Sequence, residues 1–264
     1  MTCQIAAFEF DIASTAGWYS SIAGLLTGFA LLAILLPLDH EAESEDAEGS
    51  NAVVVFTCAF FALLVLSFDY AVLAGRIGGD AVTGVAAHEQ MLLGPAFGLS
   101  TLLLLFGLSA VLRTYGANRE IFLPAQYVIL RMTSLLGPVI VLAMQFSNAL
   151  DLQHFRIQND PATASCSVAG VPDELWVNLA ITLLAMFGVL VLAALGRRLH
   201  IPRQAPVLIA KVVLGFAVAV TAWTAVVVPL LPIELVTGVL FEHMVLALSA
   251  VVTLVFAAAA YAAR

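Results

Sequence analysis

Long apolar stretches dominate this chain of 264 residues and constrain its fold more than any other feature. A helix needs about 20 mostly apolar residues to cross the hydrocarbon core of a bilayer. Seven segments reach that length, and they are continuously apolar, whereas the strands of a membrane β-barrel alternate apolar and polar residues. The predicted spans are residues 18–38, 53–75, 87–112, 121–147, 175–195, 206–230 and 233–261.

The composition excludes the soluble classes of protein. Hydrophobic residues make up 62% of the chain and charged residues 11%, whereas soluble domains carry about 25% charged residues. A soluble fold could not bury so much apolar surface, and a basic patch for nucleic acid is absent. We therefore predict an all-α bundle of seven transmembrane helices. It forms one domain over residues 1–264 of a multi-pass cell-membrane protein whose main partner is the lipid bilayer.

The distribution of arginine and lysine predicts the orientation, because cytoplasmic loops are enriched in these residues. The loops after spans two and four hold two of them, Arg76 and Arg156. The regions flanking the other ends of spans three to seven hold seven. This split predicts an external N-terminus and a cytoplasmic C-terminus. The seven residues are Arg113, Arg119, Arg197, Arg198, Arg203, Lys211 and Arg264.

Two loops stand out between the predicted spans. Residues 39–51 contain six of the acidic residues behind the net charge of −8, and their low apolar content predicts a flexible acidic loop. This loop is either a solvated linker or a docking segment for a cytoplasmic partner. Residues 148–174 are predicted to form a long external loop, with a turn marked by Asn159, Asp160 and Pro161.

The chain has three cysteines. Cys58 falls inside the second span, where it is expected to be a small buried apolar residue. Cys3 and Cys166 both fall on the predicted external side, where an oxidising environment permits a disulfide bond. We predict that these two residues form one.

Two pairs of glycines, each four residues apart, predict close approach of helix backbones. Gly24 and Gly28 lie in the first span, and Gly94 and Gly98 lie in the third. Either pair could pack against another helix of the same chain or against a second copy in a homo-oligomer.

Several ionisable side chains fall within the predicted spans. Charged groups at membrane depth are costly, so they usually face the bundle interior and find partners. The predicted topology places five of them in the same outer half of the membrane, with a sixth near the middle of span four. The five are Asp69, His88, Glu89, Glu242 and His243, and the sixth is Arg131.

These residues form a candidate ion or proton site with more than one interpretation. In a structural interpretation, Arg131 neutralises Asp69 or Glu242 inside a sealed core. In a functional one, Asp69 and Glu242 take up and release protons or a small cation, with Arg131 as the counter-charge. The function hypothesis is movement of protons or a small cation. The alternative is a non-catalytic membrane subunit or scaffold that docks a partner.

A metal- or haem-binding membrane enzyme is the third hypothesis. His88 and His243 are candidate ligands for zinc, copper or haem iron. Their spacing matches neither HxxxH nor HExxH, so no cofactor is clearly implied. Phosphate-binding loops and the nucleophile elbow of hydrolases are also absent, so no catalytic residue is assigned.

Overall fold

The computed structural model describes residues 12–40, 47–76, 83–114, 119–159, 172–195 and 205–262. Within these ranges the chain forms nine α-helices, numbered here in chain order. They are α1 (Ile12–His40), α2 (Ala47–Arg76), α3 (Gly84–Thr114), α4 (Arg119–Arg131), α5 (Gly137–Asn159), α6 (Asp173–Leu195), α7 (Ala205–Ala222), α8 (Ile233–Val236) and α9 (Val239–Ala262).

Seven helical segments of the described residues are long and apolar enough to cross a membrane, which confirms the predicted number of spans. The helix that contains α4 and α5 is much longer than predicted, because α5 continues to Asn159. The first part of the predicted external loop, residues 148–159, is therefore helical. Its Ala149 and Leu152 are fully buried, and this burial extends the helix beyond the apolar run. The predicted acidic loop is also shorter, because α1 reaches His40 and α2 begins at Ala47.

The most buried span is α3, which lies at the centre of the bundle, and the least buried is α1. We call one end of the bundle the polar end: α1, α3, α6 and α9 begin there, and α2, α5 and α7 end there. Both buried carboxylates of the described residues, Glu89 and Glu242, lie at this end. The opposite end is called the apolar end. Its core consists largely of aliphatic and aromatic side chains, among them Phe56, Leu103, Phe106, Val213 and Phe256.

The contact between α3 and α5 depends on glycine. A Cβ atom added to Gly98 would lie 2.6 Å from a methyl carbon of Val141, and one added to Gly84 would lie 2.5 Å from the ring of Phe155. At Gly94 an added Cβ would overlap the side-chain amide of Asn148. The pair Gly94 and Gly98 therefore packs within the chain, as the intramolecular interpretation predicts.

The glycine pair of the first span, Gly24 and Gly28, is not packed closely against another helix of the described chain. A Cβ atom on Gly28 would have nothing within 4 Å, and one on Gly24 would make an ordinary contact of 3.5 Å with the hydroxyl of Ser67. Ser20 and Ser67 join α1 to α2 nearby, since each hydroxyl donates a 2.9 Å hydrogen bond to the carbonyl of the other residue. The Gly28 surface is open, so a homo-oligomeric contact through this pair stays a prediction.

Two helices contain a turn of π-helix, and each turn is followed by proline. The first π turn covers Met132–Leu136 and precedes Pro138, and the second covers Trp223–Val227 and precedes Pro229. A proline ring clashes with the carbonyl four residues earlier and offers no N–H to it. The wider turn accommodates this defect, since the N–H of Gly137 bonds to the carbonyl of Met132 five residues back.

The cysteine predictions are tested only in part. Cys58 is a buried free thiol in α2, as expected. Cys3 and Cys166 lie outside the described residues, so their disulfide bond stays a prediction.

The glycine packing leads to a test of stability. Gly98→Ala should lower the free energy of unfolding by about 1–3 kcal/mol, because the new methyl group forces α3 away from the branched side chain of Val141. Gly28→Ala is the matched control, with an expected change within about 0.5 kcal/mol in either direction. Denaturant unfolding in detergent micelles measures both values. Equal effects of the two substitutions would contradict the packing described for α3 and α5.

Candidate functional site

The polar end contains three groups of polar side chains. The first surrounds Glu242, the second consists of Asp69, Arg76 and Glu89 with Thr221, and the third surrounds His88. Five of the six predicted site residues lie at this end, and Arg131 does not.

The Glu242 carboxylate lies near the start of α9 and is completely buried. Gln153 of α5 donates its amide to both carboxylate oxygens, at 3.0 and 3.2 Å. Asn178 of α6 donates its amide to one oxygen, and Arg156 of α5 forms an ion pair with the other. These donors satisfy both oxygens, which is what a carboxylate needs to remain ionised away from water.

Arg156 extends this network to the turn before α9. Its Nε donates a hydrogen bond to the carbonyl of Thr237, while its Nη1 contacts Glu242. The network therefore joins α5, α6 and α9 at one point. It has the character of the sealed structural core anticipated from the sequence, but with Arg156 in the place foreseen for Arg131.

Arg131 occurs at the other end of the same long helix. It precedes Arg156 by about 37 Å at the rise of an α-helix, so it cannot reach Glu242. Its guanidinium lies over the ring of Tyr127, 5.1 Å from the ring centroid. The ion pairs that the described residues form are Arg76–Glu89 and Arg156–Glu242, and neither includes Arg131.

Asp69 faces α7 from the last turns of α2, at the polar end. It is half-buried, and one carboxylate oxygen accepts a hydrogen bond from the hydroxyl of Thr221. The same hydroxyl lies 3.0 Å from the carbonyl of Ala217. A hydroxyl has one proton to donate, so these two acceptors compete for it.

Arg76 and Glu89 lie between Asp69 and the surface. Their ion pair is 3.0 Å long, and the arginine side chain is 49% exposed while the glutamate side chain is 4% exposed. The charge of Arg76 also attracts the Asp69 carboxylate, and the two carboxylates repel each other. One arginine therefore serves two carboxylates in this group.

His88 lies in an aromatic environment at the start of α3. The indole N–H of Trp223, in the second π turn, donates to its Nε2 at 3.4 Å, and its ring lies 4.9 Å from that of Phe241. Trp223 and Phe241 stack on each other at 5.4 Å. Because Nε2 accepts a hydrogen bond, the proton of the neutral ring is on Nδ1, which is buried with no partner among the described residues.

His243 follows Glu242 in α9 and has its own surroundings. Its Nε2 is buried, and no hydrogen-bond partner for it occurs in the described part of the chain. Across the same ranges, no group of three or more histidine, cysteine, aspartate or glutamate side chains is placed to hold a metal ion. The Nε2 atom of His88 is moreover occupied by Trp223. The zinc, copper and haem hypotheses therefore stay predictions, without support from a cluster of three such ligands in the described ranges.

Several residues of these groups were not predicted as site residues, among them Gln153, Arg156 and Thr221. The first two fall in the segment predicted as an external loop, although their spacing of three places them on one face of a helix. The turn residues Asn159, Asp160 and Pro161 begin where α5 ends. They were the available indication in the sequence that the helix continues past residue 147 and includes Gln153 and Arg156. Thr221 has no distinguishing pattern, because threonine is common in apolar helices.

Searches of protein-family models, curated proteins and solved structures find no match to this chain.

The Glu242 network predicts a large loss of stability when the charge is removed. Glu242→Gln should lower the free energy of unfolding by about 3–5 kcal/mol, because it leaves the Arg156 charge without its partner inside the bundle. Glu234→Gln removes an exposed glutamate from the nearby α8 helix and should change stability by at most about 0.5 kcal/mol.

A second substitution distinguishes loss of the ion pair from a simple packing defect. Arg156→Gln in the Glu242→Gln background should restore part of the lost stability, since no unpaired charge remains. Unfolding in detergent, followed by circular dichroism, provides the comparison. Additive losses in the double variant would show that the two side chains do not interact as described.

Proposed function

We propose that this chain moves protons across the cell membrane, with Asp69 as the carboxylate that takes up and releases them. The main support is the bonding of Asp69. It lies in a membrane-spanning segment, its hydrogen-bond partner is a neutral hydroxyl, and within the described ranges no cation forms an ion pair with it. Intramembrane carboxylates in such surroundings are the groups that proton pathways use.

The hydroxyl of Thr221 suits Asp69 in both protonation states. When Asp69 is ionised, Thr221 donates its proton to the carboxylate. When Asp69 is protonated, the acid O–H donates to the threonine oxygen, and the hydroxyl proton turns to the carbonyl of Ala217. Each state keeps its hydrogen bonds, so the exchange needs no unpaired buried group.

The Arg76–Glu89 pair gives protons from the aqueous side access to Asp69. Arg76 is half-exposed at the end of α2, and Asp69 lies about two helical turns deeper, about 10 Å. A proton that passes the exposed Arg76 reaches the buried carboxylate of Glu89 and then has a second carboxylate, Asp69, within the bundle. The predicted orientation makes this the external side of the membrane.

The Glu242 carboxylate has a structural role in this proposal. It carries charge-assisted hydrogen bonds from Arg156 and amide donors from two helices, so protonation would sacrifice contacts that Asp69 does not have. Their different hydrogen bonds distinguish Asp69 from Glu242, although the sequence predicts the same role for both carboxylates.

The apolar end acts as the closed barrier. Buried hydroxyls there bond within their own helices, as Ser109 does with the carbonyl of Phe106, and the hydrogen bonds of the described residues form no continuous polar chain through this end. Proton release on that side needs a rearrangement of the packing. The second π turn begins at Trp223, two residues after Thr221, and is a place where this helix can bend.

Asp69→Asn is the most specific substitution for this proposal. Asparagine has nearly the same shape but cannot carry the proton, so proton flux into liposomes containing the variant should fall to the rate of empty liposomes. Flux is measured with an entrapped pH-sensitive dye after a jump in external pH. Glu234→Gln, which removes an exposed carboxylate, should keep the rate of the unchanged protein.

Thr221 provides a graded companion test. Thr221→Val removes the hydroxyl and should slow the flux, whereas Thr221→Ser keeps it and should preserve most of the rate. A folded Asp69→Asn protein with undiminished flux would rule out Asp69 as the carrier. The absence of any flux above empty liposomes for the unchanged protein would rule out proton movement.

A further inference from the structure

Among the described residues, no side chain forms an ion pair with Arg131, which lies at the apolar end. Its Nε is buried and has no hydrogen-bond partner in the described part of the chain, and no carboxylate there forms an ion pair with it. A charged group in a membrane-spanning helix is costly unless something compensates it. We propose that Arg131 and Tyr127 form a binding site for the phosphate of an anionic phospholipid.

The site faces outwards from the bundle. Tyr127 is 60% exposed, and Arg131 stands over its ring one helical turn further along α4. Residues four apart share one face of a helix, so the arginine lies on the same outer face as the tyrosine. Large apolar side chains surround this position on the surface: Leu123, Val128 and Leu136.

The depth of Arg131 follows from the packing of α3 against the helix that begins at Gly137. Leu102 of α3 contacts the position of Gly137, which sets the two residues at one level. Arg131 lies about 9 Å from this level towards the apolar end, and α3 continues about 18 Å in the same direction to Thr114. The backbone of Arg131 is therefore within about 10 Å of the level at which α3 ends. A long arginine side chain shortens this distance further when it extends towards the lipid headgroups.

The chemistry of the guanidinium favours phosphate. Its planar fork donates two parallel hydrogen bonds to a phosphate group, and the tyrosine ring below it limits its motion and shields it from water. The phenol of Tyr127 is a second donor on the same face. Because the surrounding surface is apolar, the phosphate that fits is that of a lipid whose acyl chains cover Leu123, Val128 and Leu136.

The predicted orientation places this site in the cytoplasmic leaflet, which also carries the flanking arginines. An anionic headgroup there would compensate Arg131 in the way that Glu242 compensates Arg156 at the other end. The two arginines of the long helix would then differ in their partner, a lipid for one and a side chain for the other.

Lipid binding to the purified full-length protein tests this inference. After removal of native lipid, phosphatidylglycerol or phosphatidylcholine is added, and binding is followed by native mass spectrometry together with the thermal unfolding midpoint. The unchanged protein should bind phosphatidylglycerol more tightly than phosphatidylcholine. Arg131→Gln should weaken phosphatidylglycerol binding about tenfold or more, as expected for loss of a charge-assisted hydrogen bond.

Matched variants separate this site from general electrostatic attraction. Lys211→Gln removes another cation from the apolar end, on the exposed surface of α7, and should leave phosphatidylglycerol binding unchanged. Tyr127→Leu keeps an apolar side chain but loses the ring and the phenol, so it should weaken binding several-fold. It also keeps the inference testable if Arg131→Gln does not fold.

Competition with inorganic phosphate distinguishes a lipid site from a site for the free anion. Inorganic phosphate should neither displace phosphatidylglycerol nor raise the unfolding midpoint. The inference is overturned if folded Arg131→Gln and Tyr127→Leu both bind phosphatidylglycerol like the unchanged protein. It is equally overturned if free phosphate displaces the lipid, or if Lys211→Gln causes the same loss as Arg131→Gln.

Discussion

The carboxylate of Glu242 can be excluded from water only because side chains from two other helices replace its hydration. An isolated charge in a low-dielectric interior costs far more than a folded protein can spare, so its partners must be present together. Arg156 and Gln153 come from α5 and Asn178 from α6, and all three reach the start of α9. This requirement determines where the ends of three helices lie, and it explains why α5 extends beyond its apolar segment.

The bundle divides its buried polar groups unequally along the helix axes. Among the described residues, the buried carboxylates and their amide partners lie at the polar end, and the core of the apolar end consists largely of aliphatic and aromatic side chains. Within the polar end a further division follows from hydrogen bonding. Glu242 has an arginine and two amides, while Asp69 has one threonine hydroxyl. The first arrangement suits a fixed charge, and the second is the one that we propose for proton exchange.

The number of spans follows from apolar length alone, and the sharing of one end by Asp69, Glu89 and Glu242 follows from the order of the spans. The pairing of Arg156 with Glu242 does not follow from the sequence, because it depends on the position at which α5 ends. The burial of residues such as Leu152 contributes to that position. Arg131 illustrates the same difficulty, since a sequence shows that a charge lies within a span but not whether its side chain turns to the core or to lipid. The glycine pair Gly94 and Gly98 correctly predicts a close contact between helices. The identity of the partner, Val141, is known only from the structure.

The central claim is that Asp69, and not Glu242, exchanges its proton within the bundle. Infrared difference spectroscopy of the folded protein in lipid measures this directly, because a protonated carboxylic acid has a carbonyl stretching band that a carboxylate lacks. Acidification should produce in the unchanged protein a component of this band whose frequency shifts in Thr221→Val, and this component should be missing in Asp69→Asn. Persistence of the full band in Asp69→Asn would assign the exchanging proton to another carboxylate and contradict the account.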